Sequence, residues 1–179
     1  MRVRSASGFL SRRGATAVET AFVIPAVLMF TIGMVIVGMG IYRYQQVASL
    51  AREAARYASV HGSQYAAATG NAAATSSTIY TNAVAPMAVG LNPSNITYSS
   101  SVTGPAIQVQ WGTATSGSLV WTAWDSSTKA PTSYNPNSTP PGAPEYNYVS
   151  VTVGYKWTPE LYITGPLYLK STCVMPMSF

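Results

Sequence analysis

The sequence predicts an α+β fold in which one long N-terminal transmembrane helix packs on a small antiparallel β-sheet. Three observations predict it. An uncharged apolar run near the N-terminus is long enough to cross a bilayer. A helical periodicity continues beyond that run. The remainder of the chain carries short β-branched and aromatic runs separated by Gly, Pro and Ser. An apolar helix face and a half-apolar sheet each need a covering layer, and helix on antiparallel sheet supplies it.

The apolar run is Ala21 to Ile41, AFVIPAVLMFTIGMVIVGMGI, without a charged residue. As a helix it spans roughly 31 Å, close to the ~30 Å of a bilayer's hydrocarbon core. A soluble core helix is seldom apolar on every side for so long. It is also longer than the ~7–15 apolar residues of a cleaved secretory signal. Pro25 lies inside it, where a kink is expected. Arg2, Arg4, Arg12 and Arg13 precede the run with no acid among them, which places the N-terminus in the cytoplasm and exports the chain from about Tyr42. Tyr42 and Tyr44 fall where an interfacial aromatic belt is expected.

The helix does not stop at the membrane. In YRYQQVASLAREAARYASVH, residues 42–61, Val47, Leu50, Ala51, Ala54, Ala55 and Ala58 recur at intervals of three and four. Gly62 is the expected stop. A helix from Thr16 to His61 would be roughly 69 Å long, so its second half must pack on something outside the bilayer. Ala26, Gly33, Gly40, Val47 and Ala54 are spaced by seven and nearly share a face. Within the membrane, Ala26, Gly33 and Gly40 form a small-residue stripe of the kind that lets helices associate closely.

Residues 63–78 are small and polar and read as a loop, followed by a short helix over 79–89 capped by Thr78. Strands are expected at Ile96–Val102, Ala106–Trp111, Leu119–Trp124, Tyr146–Trp157 and Leu167–Met175. In the fourth, Val149, Val151, Val153 and Tyr155 make an apolar face and Tyr148, Ser150, Thr152 and Gly154 a polar one, as for a sheet covered on one side. The last two strands are expected to form a hairpin. Residues 125–145, with five prolines, read as a long surface loop.

Composition excludes several functions. Only 8% of the 179 residues are charged, against about 25% in soluble proteins. The net charge of +5 falls to +1 without the four N-terminal arginines, which leaves six bases against five acids and no footprint for nucleic acid. With one cysteine, Cys173, and one histidine, His61, no intrachain disulfide, Cys/His zinc site or recognisable catalytic motif is available. No cofactor, metal or enzymatic activity is expected. Cys173 reads as a small strand hydrophobe or a thiol open to an intermolecular bond, and His61 as a helix-end or solvent-facing residue. Four tryptophans point to the core or, as the rival reading, to an adhesive patch.

One acid is out of place. Glu19, five residues after Gly14, is the only acid in the first 52 residues and stands at the threshold of the apolar run. A carboxylate there is disfavoured, which makes it a functional candidate. The helix dipole near an N-terminus would favour it in the bland alternative. The junction SRRGATAVETAFVIPAV resembles the processing site of type IV pilin-like proteins, with the bond between Gly14 and Ala15 cut and Glu19 fifth in the mature chain. With the early proline and the AREAARYA tract, residues 12–62 more specifically resemble the TadE-like family of minor pseudopilins of the Tad pilus. Thr20 stands where that family commonly has an aromatic residue.

The resemblance implies a pilin-like fold and the following organisation: a basic cytoplasmic leader (1–14), a transmembrane helix (15–41), its exported continuation (42–62) and an extracytoplasmic α+β domain (63–179). It implies a single-pass protein of the bacterial inner membrane that joins, or primes assembly of, a Tad-type pilus or its secretion apparatus. Its partners would be a prepilin peptidase, other pilins or pseudopilins with their assembly machinery, and membrane lipid. Gly14 and Ala15 would be the processing residues, and Glu19 with Ala26, Gly33 and Gly40 the assembly residues. The alternative is a single-span envelope protein that displays an adhesive or ligand-binding β domain and builds no filament.

Overall fold

The computed structural model describes residues 11–102, 104–115, 118–123, 147–159 and 165–177. Most of the expected leader, Trp124 and the Pro-rich stretch at 125–145 lie outside the described residues. The chain divides into two units at Ile41/Tyr42.

One helix, α1 (Ser11–Val60), contributes to both units. It starts earlier than expected because Arg and Ala around residue 13 are good helix formers. Pro25 is accommodated inside it. In the first unit the apolar side chains of α1 face outward on every side: Phe22 is 78% and Met29 79% exposed. The helix is long and apolar enough to cross a membrane, and none of its most apolar stretch is buried within the chain.

The second unit is α+β. Here α1 buries Val47, Leu50, Ala51, Ala54, Ala55 and Ala58, the periodic residues of the sequence. The other large buried surface is a four-stranded antiparallel sheet in the order β2-β1-β3-β4, formed by β1 (Gln108–Thr115), β2 (Ser118–Ala123), β3 (Asn147–Trp157) and β4 (Leu167–Pro176). Register assigns Val109, Val149, Val151, Val153, Tyr155 and Trp157 to one face, and all six are buried. Removing such side chains from water stabilises by about 1.5–3 kcal/mol each. Alanines on the buried helix face add little bulk and keep that layer thin.

The last hairpin forms as expected, with ten residue pairs from Tyr148↔Pro176 to Trp157↔Leu167. The polar face of β3 is not open, however: Ser150 and Thr152 are also buried. Thr152 and Thr172 satisfy each other across the strands, hydroxyl to hydroxyl at 2.9 Å. Further along that face, Gly154 lies beneath Tyr168 and Thr97.

The expected strand over 96–102 is reduced to one bridge, Ile96↔Tyr155. Its continuation turns back, with the Val102 amide donating to the Ser99 carbonyl at 3.2 Å. The Thr97 hydroxyl donates to the Ser99 and Val102 carbonyls. Short polar side chains that bond nearby backbone compete with strand pairing.

Residues 63–78 are not all loop. A short helix, α2 (Ser63–Thr69), ends at Gly70 in the left-handed conformation. The helix that follows is capped by Thr75 rather than Thr78, the Thr75 hydroxyl accepting from the Thr78 amide. It comprises α3 (Ser76–Ile79), a π-helical turn over Tyr80–Val84 and a 3₁₀ turn over Ala85–Met87 that contains Pro86. A 3₁₀ turn, Pro93–Asn95, capped by Asn92, follows.

Candidate processing and assembly site

The junction residues occupy the first turns of α1. Gly14 is exposed, and a Cβ placed on it would meet nothing within 4 Å. Glycine in a helix costs about 1 kcal/mol relative to alanine. The Gly14–Ala15 bond therefore lies where local unwinding into a protease-compatible conformation is cheap. Ala15 precedes Glu19 by four residues, so the two neighbour each other on one side of the helix.

Glu19 is exposed. Among the described residues its carboxylate has no hydrogen-bond or ion-pair partner. Thr20 is engaged locally: its hydroxyl donates to the Thr16 carbonyl at 2.8 Å and the Ala17 carbonyl at 3.1 Å. This back-bonding satisfies a polar side chain beside an apolar run without a partner from another element.

The seven-residue series divides between the two units. Val47 and Ala54 are wholly buried within the chain. Ala26 is exposed, and Gly33 and Gly40 are half-buried. A Cβ on Gly33 would meet nothing within 4 Å, so no contact among the described residues requires glycine there.

The other candidates fall elsewhere. His61 stacks on Tyr57, with ring centroids 3.9 Å apart, and tilts against Tyr65 at 4.7 Å. Its Nδ1 lies 2.9 Å from the Tyr57 carbonyl oxygen. It borders an open cleft of about 390 Å³ together with Glu53, Arg56 and Asn82. Among the described residues no cluster of three metal-ligating side chains occurs. Cys173 is a free, half-buried thiol on the edge strand β4, opposite Val151. Trp157 is buried and Trp121 is 36% exposed.

Sequence reasoning missed a polar clamp at the start of the second unit. Arg43 Nη1 donates to the Gly90 carbonyl at 2.7 Å and to Gln46 Oε1 at 3.1 Å. Gln46 Nε2 donates to the Val89 carbonyl at 3.4 Å and the Tyr42 hydroxyl at 3.3 Å. The available signal was Arg43 itself, a lone charge two residues past the apolar run.

Residues 14–56 match the family model described as TadE-like protein. That stretch of the N-terminal helix is similar to the TadE-like family. It opens on Gly14 and closes on Arg56, so it contains Glu19, the Ala26–Gly33–Gly40 stripe and most of the buried face of α1. The match covers less than half of the chain. No curated protein and no solved structure matches it.

Proposed function

We propose that the protein is a minor pseudopilin, trimmed by a prepilin peptidase after Gly14 and used in the Tad-type pilus or its secretion apparatus. One observation carries this reading: a carboxylate without a partner among the described residues, Glu19, five residues after an exposed glycine at the head of an apolar TadE-like helix. Cleavage would remove all four leader arginines and create an ammonium at Ala15. A carboxylate in low dielectric needs a cation. In an assembly, Glu19 would take the Ala15 ammonium of a neighbouring subunit, which sets the axial register of the helices. Partners and orientation follow: a cytoplasmic leader, an exported domain from Tyr42 onward, and pilins or pseudopilins packed along α1.

The amino-terminal sequence of the protein recovered from membranes and from sheared surface filaments tests the proposal. Ala15 is the expected first residue in both fractions. An intact leader, with the protein confined to membranes, would instead establish a single-span envelope protein.

The stripe supplies an independent test. Replacing both Gly33 and Gly40 by Leu should leave the helix intact, since leucine is the better helix former by roughly 0.8–1 kcal/mol. Cross-linking between α1 copies in membranes should fall several-fold. Unchanged cross-linking would remove these glycines from the assembly surface.

A further inference from the structure

The open cleft of about 390 Å³ lies wholly within the unit that begins at Tyr42, between α1 and the helical turns over 80–87. Its volume falls within the ~300–1,000 Å³ of small-ligand sites. Glu53 and Arg56, three residues apart on α1, both line it. Among the described residues neither side chain has a hydrogen-bond or ion-pair partner, not even the other. Glu53 is half-buried and is the only acid among the described residues of this unit. Tyr57 and Asn82 are held in place: the Tyr57 hydroxyl accepts from Asn82 Nδ2 at 3.0 Å, and the Tyr57 ring stacks on His61. Asn82 sits on the π-helical turn, a widened turn of the kind that recurs at functional sites. Its amide oxygen has no partner among the described residues. Val60 and Met87, 39% and 58% exposed, add apolar surface to the lining.

We propose that this cleft binds an acidic sugar, a pyranose that carries one carboxylate among its hydroxyls, as a unit of a polysaccharide. The proposal is independent of processing and assembly. Arg56 takes the sugar carboxylate, a charge-assisted contact that a guanidinium makes bidentate. Glu53 and the Asn82 amide oxygen accept from the hydroxyls, and Val60 and Met87 lie against the C–H face of the ring. Three features favour this ligand. Arg56 is the only guanidinium lining the cleft and a carboxylate lies three residues from it, which suits a singly charged ligand and disfavours a phosphate dianion. A half-buried carboxylate without a cation needs donors, and neighbouring hydroxyls supply them. The cleft is open at the surface, as a site for one unit of a longer chain must be. Occupied, it would tether the domain to an acidic polysaccharide.

The full chain in detergent micelles carries the test, with a fluorescent tetramer of galacturonic acid as the probe and polarisation as the readout. The expected result is saturable binding, weakened at least tenfold when the probe is the neutral galactose tetramer. Arg56→Gln should weaken galacturonate binding at least tenfold and Glu53→Gln several-fold. Arg52→Gln, at an exposed arginine outside the cleft, should change it less than twofold. Arg56 is itself exposed, so its variant should keep the circular dichroism of the parent. No saturable binding by the folded protein would overturn the proposal. Equal losses at positions 52 and 56 would also overturn it, since they mark general attraction of a polyanion to basic residues. Equal affinity for tetraglutamate would overturn it in favour of an acidic peptide, and competition by free alanine in favour of an amino acid. None of these outcomes bears on the amino-terminal sequence of the mature protein, on which the pseudopilin reading turns.

Discussion

Gly154→Ala is expected to destabilise the domain that begins at Tyr42 by about 3 kcal/mol, the upper part of the usual range for overpacking. Gly154 sits in the most buried strand, and a Cβ there would overlap both the Thr97 carbonyl oxygen and the Tyr168 hydroxyl. These atoms are bonded to each other, the hydroxyl donating to the carbonyl. The Thr97 amide in turn donates to the Gly154 carbonyl at 2.9 Å. An added methyl must therefore push away a segment that β3 itself holds. The Tyr168 hydroxyl keeps its proton at neutral pH as any tyrosine does, and burial, then the neighbouring Tyr98, raises its pKa further. Tyr168→Phe would remove the hydroxyl but leave the backbone oxygen in place, so it should rescue little. Urea unfolding of the full chain in detergent measures the effect, with Gly165→Ala, which meets nothing within 4 Å, as the control. Equal midpoints for the two variants would disprove the crowding argument.

Glu19→Gln is expected to leave processing after Gly14 intact and to reduce incorporation into filaments by at least tenfold. The substitution keeps the size and the exposure of the side chain and removes only its charge. In the single chain, Glu19 has no described partner to lose, so folding should be unaffected. The processed Ala15 ammonium is a helix neighbour of the same chain's Glu19, but an exposed pair of that kind contributes only about 0.3–0.5 kcal/mol. A large effect would consequently come from a pairing between subunits inside lipid, where removing one partner of a buried ion pair costs about 3–5 kcal/mol. The ratio of mature protein in sheared filaments to that in membranes reads the outcome. Normal incorporation of mature Glu19→Gln protein would reject the pairing.

Glu19 and Gly154 belong to different levels of the molecule. Glu19 is conspicuous in the sequence because charge is scarce around it. The constraint at Gly154 is only half legible there. A glycine inside a run of β-branched residues signals a close approach, but nothing in the sequence names Thr97 or Tyr168 as the approaching atoms. The segment 96–102 shows the same limit. Its composition favours a strand, yet the Ser and Thr side chains bond the local backbone and turn it after one bridge. The clamp from Arg43 to Gly90 links residues 47 positions apart and has no local pattern to reveal it.

By itself the sequence determined the membrane-length helix, its periodic buried continuation, the alternating faces of Asn147–Trp157 and the candidate residues at the junction. These depend on local periodicity and on single residues set against their neighbours, which a linear pattern carries intact. Tertiary structure alone decided the strand order β2-β1-β3-β4, the burial of both faces of β3, the turn at Val89 and Gly90 held by Arg43 and Gln46, and the atoms that exclude a side chain at Gly154. Each of those depends on which distant segments meet, and chain entropy, packing and hydrogen-bond satisfaction settle that together rather than residue by residue.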